Sequence, residues 1–377
     1  MCKLHKALYG LKQAPWAWFH ALKKNLVQYG FQNSKTDTSL FIYSAGSCII
    51  YFLVYVDDIL LTGNDLTFLH KFKSALAEEF SLKDLGFPNH FLSIEILLTS
   101  QGLFLTQHHY IQQLLERANM NDSKLVSTPM SSSFSFVISP NSSTYDAHLY
   151  HNLLGALHYL ALTRPDIAFS VNKLSQSMQA PTTTHMQALK RILHYLKLVV
   201  DHGLHLTKSH TLSLTTFCDA DWGGDKGDLK STSSYIVHLR SNVISWSCKK
   251  QPTISCSSIE AEYRTIASTI AELLLLHELG VSSSVPIIYS DNIGATYLCS
   301  NPVFHSRMKH LAIDYHFVRD LVSQNELKVT LVPSSHQLAD LFTKPLSSPR
   351  HDFLKNKIGV IYSASILWGR VGILSNC

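Results

Sequence analysis

At 377 residues, with 46% hydrophobic and 16% charged residues, the chain is long enough for two or three domains with real cores and is not broadly disordered. Its net charge is a modest +5, its seven cysteines form no CxxC pair, and no His/Cys grouping has zinc-ligand spacing, which argues against a disulfide scaffold and a zinc ribbon. The start, "MCKLHK", has no signal-peptide pattern and no apolar run approaches a membrane span, so an intracellular, soluble protein without a membrane partner is expected.

In the first segment, residues 1–126, "QAPWAWFHALKKNLVQYGF" predicts a helix with Pro15 near its start, followed by strands at "SLFIYS" and "CIIYFLVYV". Lys12 is one of several lysines that precede Asp37 with no acid among them. Such a face suits phosphates, and a merely solvated surface accounts for it equally well. In "YFLVYVDDILLTG", Asp57 and Asp58 join two apolar β runs directly. A tight hairpin would project both carboxylates from the turn, and their repulsion calls for a hard divalent cation such as Mg2+. The competing reading is an exposed turn that uses Asp twice. A helix over "DLTFLHKFKSALAEEF" follows, with Leu69, Phe72, Leu76 and Phe80 at helical spacing, then strands at "HFLSIEILL" and "GLFLTQ" and a helix at "HYIQQLLERANM".

Residues 127–146 are rich in Ser and Pro and read as a linker. A helical connection is expected over 147–204, with Pro165 able to open a helix. From 205 to 349 the order changes to three strands, a long helix from about Ser258 that stops at Gly280, and then alternating strands and short helices, an α/β layered pattern. The tail, 350–377, is expected to be irregular.

Four acids in this last region stand out of character. Asp219 ends the apolar run "SLTTFC" and Asp291 ends "VPIIYS". Glu262 falls at the edge of the helical stripe Ile259, Tyr263, Ile266, Ile270 and Leu273, facing the sheet, whereas Glu260 lies three residues after Ser257, as in a capping box. Asp340 lies on the closing helix "HQLADLFT". Each alone reads as a cap or turn residue. Together, strand-end and helix acids converging on one crevice would hold two Mg2+ ions and hydrolyse a phosphodiester. Asp221 and Asp225 compete with Asp219 for the first place, and Asp219 is preferred because it directly follows the apolar strand.

"YVDDILLTG" resembles the YxDD hairpin of reverse transcriptases, and "KLHKALYGLKQAPWAWF", "FSLKDLG", "VSTPM", "TRPDIAFSVN" and "SWSCKKQPTISCSSIEAEY" resemble the matching stretches of Ty1/copia-type retrotransposon Pol polyproteins. "FCDADW", "EAEY", "YSDN" and "LAD" match the acid order of ribonucleases H. The resemblance implies an α/β class overall: an α+β palm and thumb remnant, then a connection and a ribonuclease H-like three-layer α/β domain. It implies two-metal Mg2+ sites at Asp57 and Asp58 and at Asp219, Glu262, Asp291 and Asp340. The implied partners are an RNA–DNA hybrid or template–primer and other Pol segments, in a cytoplasmic virus-like particle or the nucleus. In "NPVFHSRMKHLAIDYHF", typical of the lineage, Arg307, Lys309 and His310 would contact a phosphate backbone, a solvated helix start being the alternative. The family's third polymerase carboxylate lies upstream of the LYGLKQ stretch, so this sequence alone is expected not to polymerise DNA. Trp16 stands where the family usually has Arg, and Ser93 and Ser234 where Gly is usual. A non-catalytic nucleic-acid-binding remnant of a retroelement is the alternative function, and a relic that does not fold is a third possibility.

Overall fold

The computed structural model describes residues 11–56, 58–80, 82–120, 124–132, 146–209, 212–280, 284–301 and 312–363. The α/β class is as expected, in two compact units: residues 1–91 with 278–280, and residues 92–277 with 281–377.

In the first unit, α1 (Ala14–Gln28) carries Pro in its opening turn, where no intrahelical N–H is needed, and turns Leu22 and Leu26 inward. Strands β1 (Gln32–Asn33), β2 (Leu40–Ala45), β3 (Cys48–Tyr55) and β4 (Asp58–Gly63) pair antiparallel in chain order. Helix α2 (Leu66–Phe80) buries Phe72 and Leu76, with Leu69 and Phe80 half-buried beside them. The core between helices and sheet is aromatic: Phe31 and Phe72 have ring centroids 4.9 Å apart and Phe41 and Phe52 are fully buried. The unit closes with β5 (His90–Phe91).

The second unit takes in residues that the sequence pattern grouped with the first. Strands β6 (Ile94–Leu98) and β7 (Gly102–Thr106) form a hairpin, and β7 pairs with β8 (His202–Thr207) with Phe104 opposite His205. Helices α3 (His108–Arg117), α4 (Ala147–Leu160), α5 (Ala168–Ser175) and α6 (Thr183–Leu198) then pack a core of Tyr150, Leu154, Leu157, Ile192 and Leu196. Pro165 opens a 3-10 turn that runs straight into α5. The expected linker is not loose at its start: Thr128 and Met130 are buried, and the Arg191 guanidinium donates to the Thr128 hydroxyl at 2.9 Å. Residues 133–145 of that stretch lie outside the described residues.

The remaining strands are β9 (Leu214–Asp221), β10 (Thr232–Leu239), β11 (Asn242–Lys250), β12 (Ile287–Ser290) and β13 (Lys328–Leu331), in the order β11-β10-β9-β12-β13. The first three pair antiparallel, and β12 and β13 run parallel to β9. Helices α7 (Ser258–His277), α8 (Ile293–Ser300) and α9 (Ala312–Ser323) share one core with this sheet, in which Tyr263, Ile266 and Ile270 meet Cys218, Val237 and Ile288. A second core gathers Ile236, Val243, Leu341, Phe342, Leu354 and Ile358. That second layer corrects the expectation of an irregular tail: residues 348–362 form α10 (Ser348–Lys357) and β14 (Val360–Tyr362), the latter paired with β8. Leu354, Ile358 and Val360 are fully buried, and their apolar burial is what fixes the segment. The closing helix is also shorter and tighter than its pattern suggested, two 3-10 turns over Ser334–His336 and Leu338–Phe342.

One buried ion pair ties this unit together. Arg164 donates to both Asp166 oxygens at 2.9 and 2.7 Å and to the Val199 carbonyl at 3.0 Å, and the Tyr195 hydroxyl donates to Asp166 at 2.6 Å. His351, on α10, donates from Nε2 to the Asp166 carbonyl at 3.3 Å. Burial alone would raise the Asp166 carboxyl, but Arg164 and Tyr195 hold it well below the usual carboxylate range.

Candidate metal centre

Parallel pairing sets Tyr289 of β12 opposite Phe217 of β9. Two residues further on, each strand carries an acid, Asp219 and Asp291, so the period of two brings both to one place on neighbouring strands. Glu262 approaches from α7, one turn into the helix and on its buried face. The three carboxylates each offer an oxygen, and these oxygens lie within 4.8 Å of one another. No other group of three or more His, Cys, Asp or Glu side chains gathers in this way among the described residues.

Asp219 and Glu262 are 2% and 4% exposed, which matters because buried carboxylates without cations are costly. Burial raises both of their pKa values, Glu262 far above its ordinary range; the charges of Asp219 and Asp291 add to the Glu262 shift, whereas Lys344 and the Thr343 hydroxyl partly offset that of Asp219. The backbone N–H of Ala220 donates to Glu262 Oε1 at 3.0 Å and the Ser290 hydroxyl to Oε2 at 3.4 Å, fixing the carboxylate against the end of β9 and β12. The Ser334 hydroxyl donates to Asp291 Oδ2 at 2.8 Å, and the buried Thr343 hydroxyl donates to Asp219 Oδ2. Three hard oxygen donors at this spacing, with the Asp219 and Glu262 pKa values raised in a way that a cation would reverse, fit a bound divalent ion.

Asp340 stands apart from the three. Its Oδ1 takes the Lys344 ammonium at 2.7 Å and its Oδ2 the Arg350 guanidinium at 3.3 Å. Lys344 Nζ also lies 3.3 Å from Asp219 Oδ2, so it bridges the fourth acid to the first. Burial works against this ammonium, yet Asp219 and Asp340 raise its pKa overall. Lys344 was not singled out in the sequence, although its position four residues after an acid is a spacing that pairs charges. Ser234, marked in the sequence only as standing where Gly is usual, sits opposite Asp219 on β10, and its hydroxyl donates toward the Asp219 and Ala339 carbonyls at 3.3 and 3.2 Å.

The competing acids are engaged elsewhere. Asp221 folds over its own turn, where a Cβ on Gly224 would fall 1.6 Å from its Oδ2, and Asp225 pairs with Lys250 at 2.6 Å. Glu260 is buried at the start of α7, where it accepts from the Cys256 backbone N–H at 2.9 Å and from Arg264 at 2.7 Å. In the first unit, Tyr55 pairs with Asp58 where β3 returns as β4; Asp58 is exposed and Val56 adopts φ +51. Asp57 lies outside the described residues, as do Arg307, Lys309 and His310. Lys12 is exposed just ahead of α1.

A reverse transcriptase (RNA-dependent DNA polymerase) family profile matches residues 1–132. The retrovirus-related Pol polyprotein from transposon RE1 of Arabidopsis thaliana is 52% identical over 365 residues, covering 96% of this chain and 25% of that protein. The putative transposon Ty5-1 protein of Saccharomyces cerevisiae is 32% identical over 274 residues, covering 72% of this chain and 89% of that one. The chain belongs to the retrovirus-related Pol polyprotein family of transposons. This Pol chain spans about a quarter of the length of the two Arabidopsis polyproteins it matches. Among solved structures, the foamy viral protease-reverse transcriptase in complex with an RNA/DNA hybrid aligns with 90% of the Pol chain and 40% of its own, at 14% identity and a TM-score of 0.49.

Proposed function

We propose that the second unit hydrolyses the RNA strand of an RNA–DNA hybrid with Mg2+ held by Asp219, Glu262 and Asp291. The observation that supports this most directly is the meeting of three carboxylates, two buried and one half-buried, from three separate places in the chain within 4.8 Å. When bound, the ion would polarise the scissile phosphate and lower the pKa of an attacking water. Asp219 and Asp291 present their oxygens from adjacent strand ends, and Glu262 is held in line by Ala220 and Ser290. Asp340, through Lys344, anchors the far side of Asp219.

The first unit is read as part of an RNA-directed DNA polymerase of the Ty1/copia lineage, with Asp57 and Asp58 as its remaining metal-binding pair. Primer extension on an RNA template by the purified chain is the measurement that tests this reading of the first unit. A template–primer, an RNA–DNA hybrid and other Pol segments are the proposed partners, in an intracellular setting.

The deciding experiment is hybrid cleavage by the purified chain with and without Mg2+. Cleavage that needs Mg2+ and disappears in the Asp219→Asn, Asp291→Asn double variant is the expected result. Cleavage that persists in the double variant overturns the site, and salt-sensitive binding without cleavage in the parent chain would favour a nucleic-acid-binding role instead.

A further inference from the structure

We propose that this centre loads a single divalent ion, and that the Lys344 ammonium takes the place of a second one between Asp219 and Asp340. The inference rests on the hydrolytic reading of the site and specifies how its charge is balanced.

A second ion shared by the first and fourth acids would have to sit between their carboxylates. That position is held by Lys344 Nζ, 2.7 Å from Asp340 Oδ1 and 3.3 Å from Asp219 Oδ2. The placement follows from the chain: the 3-10 turn over Leu338–Phe342 ends in backbone bonds from Thr343 and Lys344 to the Asp340 carbonyl, at 3.3 and 3.2 Å. The same turn therefore delivers the Thr343 hydroxyl and the Lys344 ammonium to Asp219 together. The other oxygen of Asp340 is taken by Arg350, which is itself fixed by the carbonyls of Ser335, Ser334 and Gln337 at 2.6, 3.1 and 3.4 Å. Asp340 is thus neutralised from both sides and lies outside the group of three that can share an ion. Charge counting agrees. The carboxylates of Asp219, Glu262, Asp291 and Asp340 balance one divalent ion plus Lys344 and Arg350, whereas a second divalent ion beside Lys344 leaves two positive charges uncompensated and meets direct repulsion.

The test counts Mn2+ ions per chain by the electron paramagnetic resonance of the free ion. It uses the full chain carrying Asp57→Asn and Asp58→Asn, so that the other acidic pair does not contribute. One ion is expected in this chain and in its Lys344→Arg form, and two in Lys344→Met. Lys344→Gln serves as the neutral variant if Lys344→Met does not fold, judged by circular dichroism. Two ions with Lys344 in place, or one ion in a folded neutral variant, overturn the inference. Hybrid cleavage measured on the same samples separates the two readings. One ion without cleavage removes the hydrolytic reading and keeps the charge assignment, whereas two ions with cleavage does the reverse.

Discussion

The second unit buries two groups of acids, and they are finished in opposite ways. Asp166 is enclosed by Arg164, Tyr195 and, through its carbonyl, His351, and its pKa is pulled down. Asp219 and Glu262 are nearly as buried, yet they meet Asp291 with a single ammonium at their edge, Lys344 at 3.3 Å from Asp219, and burial pushes their pKa values up. Burial is common to both, so burial is not what marks a working site. The first group is electrostatically closed and serves the fold; the second is short of positive charge, as the proposed cation site requires.

The comparison breaks most easily at the closed group. Arg164→Met leaves Asp166 buried without its cation and is expected to destabilise the second unit by about 3–5 kcal/mol. Urea unfolding followed by circular dichroism measures this, and a loss no larger than that of a surface substitution would show that the pair is not what holds α5, α6 and α10 together. At the open group the sign reverses. Glu262→Gln removes a buried negative charge and is expected to stabilise the metal-free chain by on the order of 1–2 kcal/mol at pH 7.5. The folded pKa of Glu262 is raised, so its ionisation opposes folding as pH rises above the ordinary carboxylate range; the gain should therefore vanish near pH 4. A melt in chelator across this range that shows no gain at high pH would contradict an unpaired Glu262.

Asp166 behaves the other way. Its depressed folded pKa contributes stability above the ordinary carboxylate range, and that contribution is lost as pH falls below it. Mg2+ at ten times its dissociation constant should add about 1.4 kcal/mol to the parent chain and nothing to the Asp219→Asn, Asp291→Asn variant, read as a difference in melting temperature. Asp340 belongs partly to each class, since it is paired but its partners Lys344 and Arg350 are 43% and 25% exposed, so that solvent screens the pairs. Asp340→Asn is accordingly expected to change stability by less than about 1 kcal/mol, and a larger loss in the same urea assay would place Asp340 with the closed group.

Much of this was legible in the residues. Ser93, marked as an unusual replacement for Gly, does adopt φ +56, a conformation in which Gly carries no Cβ penalty. The stripe along α7 located Glu262 on the buried face, and the ends of two apolar runs located Asp219 and Asp291. What misled was composition without partners. The Pro- and Ser-rich start of the linker is buried where Arg191, far along the chain, reaches Thr128, and the first part of the tail is ordered where β8 offers an edge to Val360–Tyr362. A linear pattern of acids carries no information about which cation each one meets, so the pairing of Asp340 with Lys344 and Arg350 is visible only in the fold.

By itself the sequence pointed to most of the helices and strands, to the α/β order and to the three acids, because periodicity and strand ends are local properties that every residue carries with it. Only the tertiary structure decided that Asp340 answers to Lys344 and Arg350 rather than to the other three acids, and that Arg164 closes over Asp166. Charge balance in a buried place depends on distances across the fold, and electrostatic energy there is set by neighbours separated by a few ångströms in space, whatever their separation along the chain.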